Sequence, residues 1–190
     1  MNIVILTNSY LRHKSLVSRL QMSEKINVVS AFYEISHPYM SISFNDKKCL
    51  MRDHLLTRDI AEKDTFNWFS KAINFSDNIN KFHVKRGWLS SEEALSQINK
   101  INPDLIVVYG TSIIKGNILD LYKDRMINIH LGLSPYYRGS GTNFFPFVYN
   151  EPEYCGASFL MIDKGVDTGN IIHQIRPDIY LFDSFHQLSN

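Results

Sequence analysis

Residues 105–130 read LIVVYGTSIIKGNILDLYKDRMINIH, and this segment gives the clearest indication of the fold. It opens with the apolar run 105–109, which is typical of a buried strand, and Gly110 then permits a sharp turn. A helix is predicted near 115–122, and a second strand is predicted over 126–130. A strand, a helix and a strand in succession indicate a parallel pair joined by a crossover helix.

The same alternation is visible nearer the N-terminus. A strand is predicted at 3–6, a helix from 13 to about 23, and another strand at 26–30. From 31 to 80 the aromatic and charged residues show no clean period. One helical face could be formed there by Phe66, Trp68, Phe69 and Ile73.

Two further segments complete the pattern. After a strand at 82–84, Ser90 lies three residues before Glu93, the spacing of a capping box, so a helix is predicted to begin there. A last strand is predicted at 171–175. The whole chain is therefore predicted to form an α/β fold, a mostly parallel twisted sheet with helices on both faces.

The composition is that of an ordinary soluble globular domain. Its 190 residues are 44% hydrophobic and 21% charged. The net charge of +1 gives no general attraction to nucleic acids or membranes, and no run of about 18 apolar residues suggests a membrane span. Cys49 and Cys155 lack metal-ligand spacing, as in proteins of a reducing compartment. We therefore expect a cytoplasmic protein.

The strand predicted at 126–130 carries two polar side chains. Residues two apart point to the same side of a strand, so the Asn128 amide and the His130 imidazole would face one space. An amide can donate a hydrogen bond to a developing oxyanion, and an imidazole can shuttle a proton. Alone, such a pair is more often structural and satisfied by its neighbours.

A loop and a carboxylate follow. The loop at 131–139, LGLSPYYRG, is rich in turn-forming residues and comes directly after the strand. Further along, GVDTG at 165–169 places Asp167 between two glycines, just before the last predicted strand. Taken by itself, Asp167 would be a simple turn aspartate.

Taken together and in this order, these motifs resemble the signature of the folate-dependent formyltransferases. The resemblance rests on NIH at 128–130, SPYYRG at 134–139 and VDTG at 166–169. In addition, VVYGTSII at 107–114 resembles the family's strand and loop that receive the pterin. The similarity is strong over about 101–175 and implies the family's Rossmann-like formyltransferase fold. The family includes enzymes that act on glycinamide ribonucleotide, methionyl-tRNA and amino sugars.

The resemblance implies three catalytic roles. Asn128 would hydrogen-bond the formyl oxygen, His130 would stabilise the oxyanion and move protons, and Asp167 would pair with His130. The implied donor is 10-formyltetrahydrofolate, with tetrahydrofolate as product, and no metal is needed. One departure, Leu-Ser-Pro at 133–135 in place of Leu-Leu-Pro, bears on substrate contacts more than on catalysis.

The resemblance also assigns binding residues. The pterin would lie against Tyr109, Gly110, Thr111, Ser112, Ile113 and Ile114. Aromatic and basic side chains that could hold a substrate base, sugar or phosphate are Trp88, Tyr136, Tyr137 and Arg138. Aromatic residues more often serve packing, and a basic residue is as often a solvated surface group.

The expected acceptor is a nucleotide-linked amino sugar such as GDP-perosamine, because the loop at 128–143 is similar to that of enzymes that formylate such sugars. Transfer to methionyl-tRNA or glycinamide ribonucleotide, and hydrolysis of formyltetrahydrofolate itself, are the alternatives within the family. The implied partner is thus a small molecule and not a nucleic acid or membrane. The sequence leaves a homodimer open.

Other classes fit less well. A dinucleotide-binding oxidoreductase is disfavoured because TNSY at 7–10 lacks the glycine fingerprint. A metal-dependent hydrolase could recruit His130, Asp167 and His173, although no paired-histidine spacing supports it. Residues 1–190 are expected to form one N-terminal-type catalytic domain that lacks the family's C-terminal extension, with a last helix beginning at Asp183 or Ser184. A truncated, inactive binding protein remains the non-enzymatic alternative.

Overall fold

The computed structural model of the chain describes residues 1–35, 50–72 and 79–190. The strands are β1 (Asn2–Asn8), β2 (Asn27–Ile35), β3 (Asn80–Lys85), β4 (Leu105–Tyr109), β5 (Met126–Leu131), β6 (Ala157–Met161) and β7 (Ile171–Ile175). The helices are α1 (Leu11–Gln21), α2 (Leu50–Ala72), α3 (Glu92–Ile101), α4 (Asn117–Tyr122), α5 (Phe145–Val148) and α6 (Phe185–Leu188). Within the described ranges, no helix is both long enough and apolar enough to cross a bilayer.

The seven strands form one sheet in the order β3-β2-β1-β4-β5-β6-β7. The pairs from β3 to β5 are parallel, whereas β6 runs antiparallel to both β5 and β7. The predicted α/β architecture with a mostly parallel sheet is confirmed. No strand was predicted at β6, although Phe159, Leu160 and Met161 form an apolar run there.

Two local predictions differ from the structure. Strand β2 extends to Ile35 instead of ending at 30. Helix α3 is capped by Ser91, whose side chain accepts a hydrogen bond from the Ala94 amide at 3.1 Å. Ser90 instead belongs to the preceding 3₁₀ turn, so the predicted cap was one residue early. Of the proposed helical face, Phe66 is buried in α2, while Ile73, like Cys49, lies outside the described residues.

Two apolar clusters cover opposite faces of the sheet. On the face that α3 and α4 cover, called here the α4 face, the cluster includes Val108 and Met126. On the face that α1 covers, the α1 face, it includes Val107 and, partly buried, Ile129. Because neighbouring strand residues alternate between faces, Asn128 and His130 lie on the α4 face. The predicted shared orientation of these two side chains is confirmed.

The last strand is open to solvent. All five residues of β7 are exposed, including Ile171, Ile172 and Ile175, so the sheet ends in an exposed apolar edge. The short helix α6 follows with Ser184 as its N-cap, in a capping box with Gln187. The predicted helix start is thereby confirmed.

Candidate active site

The candidate catalytic residues meet on the α4 face of the sheet. Asn128 and His130 project from β5, and Asp167 reaches them from the loop that connects β6 to β7. The Asn128 amide nitrogen donates to Asp167 Oδ1 at 2.8 Å, and His130 Nδ1 lies 3.3 Å from Asp167 Oδ2. Three residues that are 39 and 37 positions apart in the chain thus form one cluster.

Asp167 is also held in place by a backbone amide of the loop after β5. The Gly139 amide donates to Asp167 Oδ2 at 2.9 Å, which joins the β6–β7 loop to the loop after β5. Asp167 has φ of +52°, a left-handed conformation that aspartate and asparagine tolerate better than most residues. Nearby, Asp163 accepts hydrogen bonds from the Gly165 amide and the Thr168 hydroxyl at 2.9 and 2.6 Å. These local bonds explain why the aspartate lies in a short, glycine-flanked turn.

The contacts of His130 indicate where its protons lie. Nε2 is 2.9 Å from the Tyr137 carbonyl oxygen, which can only accept, so Nε2 carries a hydrogen. Nδ1 faces a carboxylate oxygen, which also accepts. Both ring nitrogens therefore face acceptors, and the Tyr137 carbonyl and the Asp167 carboxylate together fix the orientation of the ring.

The loop after β5 follows the sheet closely at Gly132. Its φ is +133°, and a Cβ there would lie 2.6 Å from Thr142 Cβ and 3.0 Å from His130 Nε2. The Ser158 hydroxyl of β6 donates to the Gly132 carbonyl at 2.7 Å and accepts from the Ser134 amide at 3.0 Å. Ser134, where the sequence departs from the family pattern, is thus a buried residue of this loop.

The predicted pterin residues divide between the two faces. Tyr109 turns to the α1 face, where its ring lies 4.3 Å from that of His13 between centroids. Burial raises the pKa of Tyr109 and lowers that of His13, so both rings are neutral packing groups. Gly110 lies against the same histidine, because a Cβ on it would be 2.6 Å from His13 Cε1. Only backbone atoms of Tyr109 could therefore face a ligand on the α4 face.

The rest of this loop lies on the other side. Ile114 is buried in the α4-face cluster, and Ile113 beside it is 57% exposed. The Thr111 hydroxyl donates to the Ser112 carbonyl at 2.9 Å. Ser112 itself donates to the buried carboxylate of Glu34. Glu34 was not predicted as a functional residue, although a charged residue directly after an apolar run can indicate one.

The predicted substrate residues are not all brought together. Trp88 stacks on Phe32 and donates its indole N–H to Glu93 at 3.0 Å, at the β3 end of the sheet. The loop after β5, with Tyr136 and the exposed Arg138, is separated from β3 by three intervening strands. Trp88 therefore serves packing in this structure.

The two tyrosines of the loop differ. Tyr136 is 65% exposed and lies 4.4 Å from Tyr154 between ring centroids. Tyr137 donates its hydroxyl to Glu151 at 2.5 Å, and this hydrogen bond raises the pKa of Tyr137 to about 12. Tyr137 is thus fixed by its side chain, and its carbonyl contacts His130. Tyr154 was not predicted, since nothing in its local sequence marks it.

The geometry does not support the metal-hydrolase alternative. Direct strand pairing aligns His130 with Ser158, and His173 with Phe159. His173 therefore lies on the α1 face, opposite to His130 and Asp167. Among the residues that the structure describes, no group of three histidines, cysteines or acidic residues could hold a metal ion.

Comparison with known proteins agrees with the resemblance. A methionyl-tRNA formyltransferase of Finegoldia magna is 35% identical over 86 residues, 44% of this chain and 27% of that protein. One from Caldicellulosiruptor saccharolyticus is 37% identical over 105 residues, 54% of this chain and 32% of that protein. The aligned parts thus span about a quarter to a third of these curated relatives.

Solved structures share the fold at low sequence identity. Phosphoribosylglycinamide formyltransferase from Anaplasma phagocytophilum has a TM-score of 0.68 at 15% identity, covering 100% of this chain and 78% of that one. A formyltransferase from Anoxybacillus kamchatkensis, solved with UDP-4,6-dideoxy-4-formamido-L-AltNAc and tetrahydrofolate, has a TM-score of 0.50 at 20% identity, covering 99% and 66%. The family model described as formyl transferase matches residues 52–190. Because this match covers well over half of the chain, the chain belongs to the formyl transferase family.

Proposed function

We propose that this protein transfers a formyl group from 10-formyltetrahydrofolate to a primary amine. The observation that carries the proposal is the cluster of Asn128, His130 and Asp167 on one face of the sheet, beside the carboxyl end of β4. In open α/β sheets, ligands bind at the carboxyl ends of the strands. The loop 110–114, which follows β4, would hold the pterin through backbone atoms and the exposed Ile113.

The residues of the cluster suit the charges that such a transfer creates. The folate supplies a formyl group bonded to nitrogen; the amine forms a new bond to its carbon, and the old carbon–nitrogen bond breaks. An oxyanion develops in between. The Asn128 amide has two N–H bonds, of which Asp167 accepts one, so the other can donate to that oxyanion. One such donor is worth about 3 kcal/mol of barrier.

Proton movement falls to His130 and Asp167. The attacking amine must lose a proton, and the departing folate nitrogen must gain one. His130 Nε2–H, which now donates to the Tyr137 carbonyl, is the hydrogen that a substrate atom would compete for. Asp167 balances the charge of the ring and orients it through Nδ1. Acid–base catalysis of this kind accelerates a reaction by about 10²–10⁴-fold.

For the acceptor we propose a nucleotide-linked amino sugar. A cavity of about 390 Å³ lies next to the loop after β5 and is lined by Leu133, Tyr136, Glu153, Tyr154, Gln174 and Arg176. The paired rings of Tyr136 and Tyr154 suit a flat base, and the Arg176 guanidinium suits a phosphate. The Anoxybacillus kamchatkensis formyltransferase was solved with a nucleotide-linked formamido sugar and tetrahydrofolate, which supports this choice of acceptor.

Methionyl-tRNA is the second candidate acceptor, because the Finegoldia magna and Caldicellulosiruptor saccharolyticus relatives are methionyl-tRNA formyltransferases. The net charge of +1 argues against it, since RNA binding depends heavily on contacts to phosphates. Glycinamide ribonucleotide enters the comparison through solved structures that share the fold.

The test is a panel of acceptors incubated with 10-formyltetrahydrofolate, with detection of a formyl mass increment. Nucleotide-linked 3-amino and 4-amino dideoxysugars, methionyl-tRNA, glycinamide ribonucleotide and a no-acceptor sample form the panel. His130→Ala is the inactive variant, and His173→Ala is its matched control on the opposite face. Formylation of methionyl-tRNA alone would overturn the sugar assignment, and formate release without any acceptor would indicate a hydrolase. No turnover with any sample would contradict the reaction class.

A further inference from the structure

A buried carboxylate on β2 touches two loops that lie on either side of it. Glu34 is 3% exposed and lies on the same face of the sheet as Phe32, the α4 face. It accepts from the Gly87 amide at 2.5 Å, after β3. It also accepts from the Ser112 amide at 2.5 Å and from the Ser112 hydroxyl at 2.6 Å, after β4.

The contact to Ser112 passes over a neighbouring strand. In the sheet β1 lies between β2 and β4, so the Glu34 side chain spans the carboxyl end of β1 to reach the loop after β4. A buried charge is costly unless hydrogen bonds satisfy it, and here three donors do so. In the described part of the chain, no basic side chain forms an ion pair with Glu34. Among the described residues, the groups that satisfy the carboxylate are thus the neutral donors of Gly87 and Ser112.

The loop is fixed at three points, of which Glu34 supplies the central one. Gly110 lies against the His13 ring at one end, and Ile114 is buried at the other. Between them, Ser112 is held through both its backbone and its side chain. The backbone of 110–114 and the exposed Ile113 are the groups that the proposed function assigns to the pterin.

We infer that Glu34 is a positioning residue for the folate site: it holds Ser112, and through it the backbone of 110–114, in the conformation that receives the pterin. The inference rests on the proposed function. Glu34 contacts none of the three residues of the catalytic cluster. Its loss should therefore weaken folate binding and leave the chemical step nearly unchanged.

The test uses Glu34→Gln. In glutamine, an NH₂ group replaces one of the two carboxylate oxygens. This NH₂ group would face an N–H donor, so the hydrogen bond that the oxygen now accepts from that donor would be lost. We expect KM for 10-formyltetrahydrofolate, and Kd for 5-formyltetrahydrofolate by calorimetry, to rise about tenfold, with kcat within threefold of the parent. Ser112→Ala, which removes only one of the three donors, should raise Kd by roughly threefold.

Asp104→Asn is the matched control. Asp104 also accepts a hydrogen bond from a backbone amide, that of Asn2 at 2.7 Å, but it lies at the amino end of β4, opposite to the folate loop. This variant should leave folate affinity unchanged. If Glu34→Gln binds folate as the parent does, or if Asp104→Asn weakens binding equally, the inference is wrong. If Glu34→Gln does not fold, unchanged binding by Ser112→Ala overturns it. If the parent protein binds no folate, the proposed function fails first and the inference with it.

Discussion

The replacement of Asp167 by asparagine tests the catalytic cluster most directly. The side chain keeps its size, and asparagine tolerates the left-handed backbone at this position, where φ is +52°. The substitution replaces one carboxylate oxygen with an NH₂ group and removes the negative charge. The remaining oxygen can still accept from the Asn128 amide, but the new NH₂ group meets the Gly139 N–H, which is also a donor.

The magnitude follows from these contacts. Loss of a hydrogen bond to a charged acceptor in a site that is only 12% exposed should cost about 2 kcal/mol of unfolding free energy. For a domain of this size that corresponds to a decrease in Tm of roughly 4–8 °C. The new NH₂ group also replaces the carboxylate oxygen that His130 Nδ1 faces, so the acceptor that orients the ring for proton transfer is lost. Turnover should therefore fall by about 10²–10⁴-fold.

The assay is formyl transfer to the acceptor found in the panel, measured together with thermal unfolding. Asp163→Asn is the matched control, because Asp163 accepts two hydrogen bonds within the same loop and touches none of the three cluster residues. It should lower Tm and leave turnover within a few-fold of the parent. Turnover by Asp167→Asn within threefold of the parent, or an equal loss in both variants, would contradict the catalytic role of Asp167.

Four further predictions follow from described features. 5-Formyltetrahydrofolate should raise Tm, as a ligand of the native state does, whereas NAD, ATP and zinc should not; a zinc response without a folate response would contradict this. Gly132→Ala should cost about 2 kcal/mol, because its Cβ would lie 2.6 Å from a threonine Cβ, whereas Gly139→Ala, with nothing within 4 Å, should cost about 1 kcal/mol in urea unfolding. Burial raises the pKa of Cys155 to about 11, so mass mapping at pH 8 should show alkylation only after unfolding. The exposed β7 edge should promote self-association, and Ile172→Lys should reduce it in sedimentation runs; an unchanged oligomeric state would count against the edge.

Strands β1, β2 and β4 were predictable from the sequence because they contain apolar runs. Strand β4 was predicted with its observed bounds, and the prediction for β5 was one residue too short. Strand β6 was not predicted, although it contains the apolar residues Phe159, Leu160 and Met161 beside the buried Ser158. The Ser158 hydroxyl is satisfied by the Gly132 carbonyl and by Gln174, which are distant in sequence. Partners of this kind cannot be read from a local pattern.

The same limit applies to the candidate site. Alternation along β5 predicted that Asn128 and His130 share a face, and the resemblance supplied Asp167. The pairing of Tyr136 with Tyr154 depends on how the loop after β5 returns to the sheet, which no period in the sequence encodes. Glu34 was missed because the strand was predicted to end at residue 30, whereas β2 continues to Ile35 and three donors converge on the buried carboxylate.

The alternation along β5 has a consequence for insertions and deletions. A slip of β5 by one residue against β4 would turn Ile127 and Ile129 into the site and both Asn128 and His130 into the apolar space beneath α1. Burial of two unsatisfied polar groups costs several kcal/mol, on the order of 2–7 for each, so the strand cannot absorb a change in chain length. Any residue added or removed before β5 must therefore be accommodated by the turn at 123–125. The partial burial of Ile127 and Ile129 on one face of the sheet therefore fixes the positions of Asn128 and His130 on the other face.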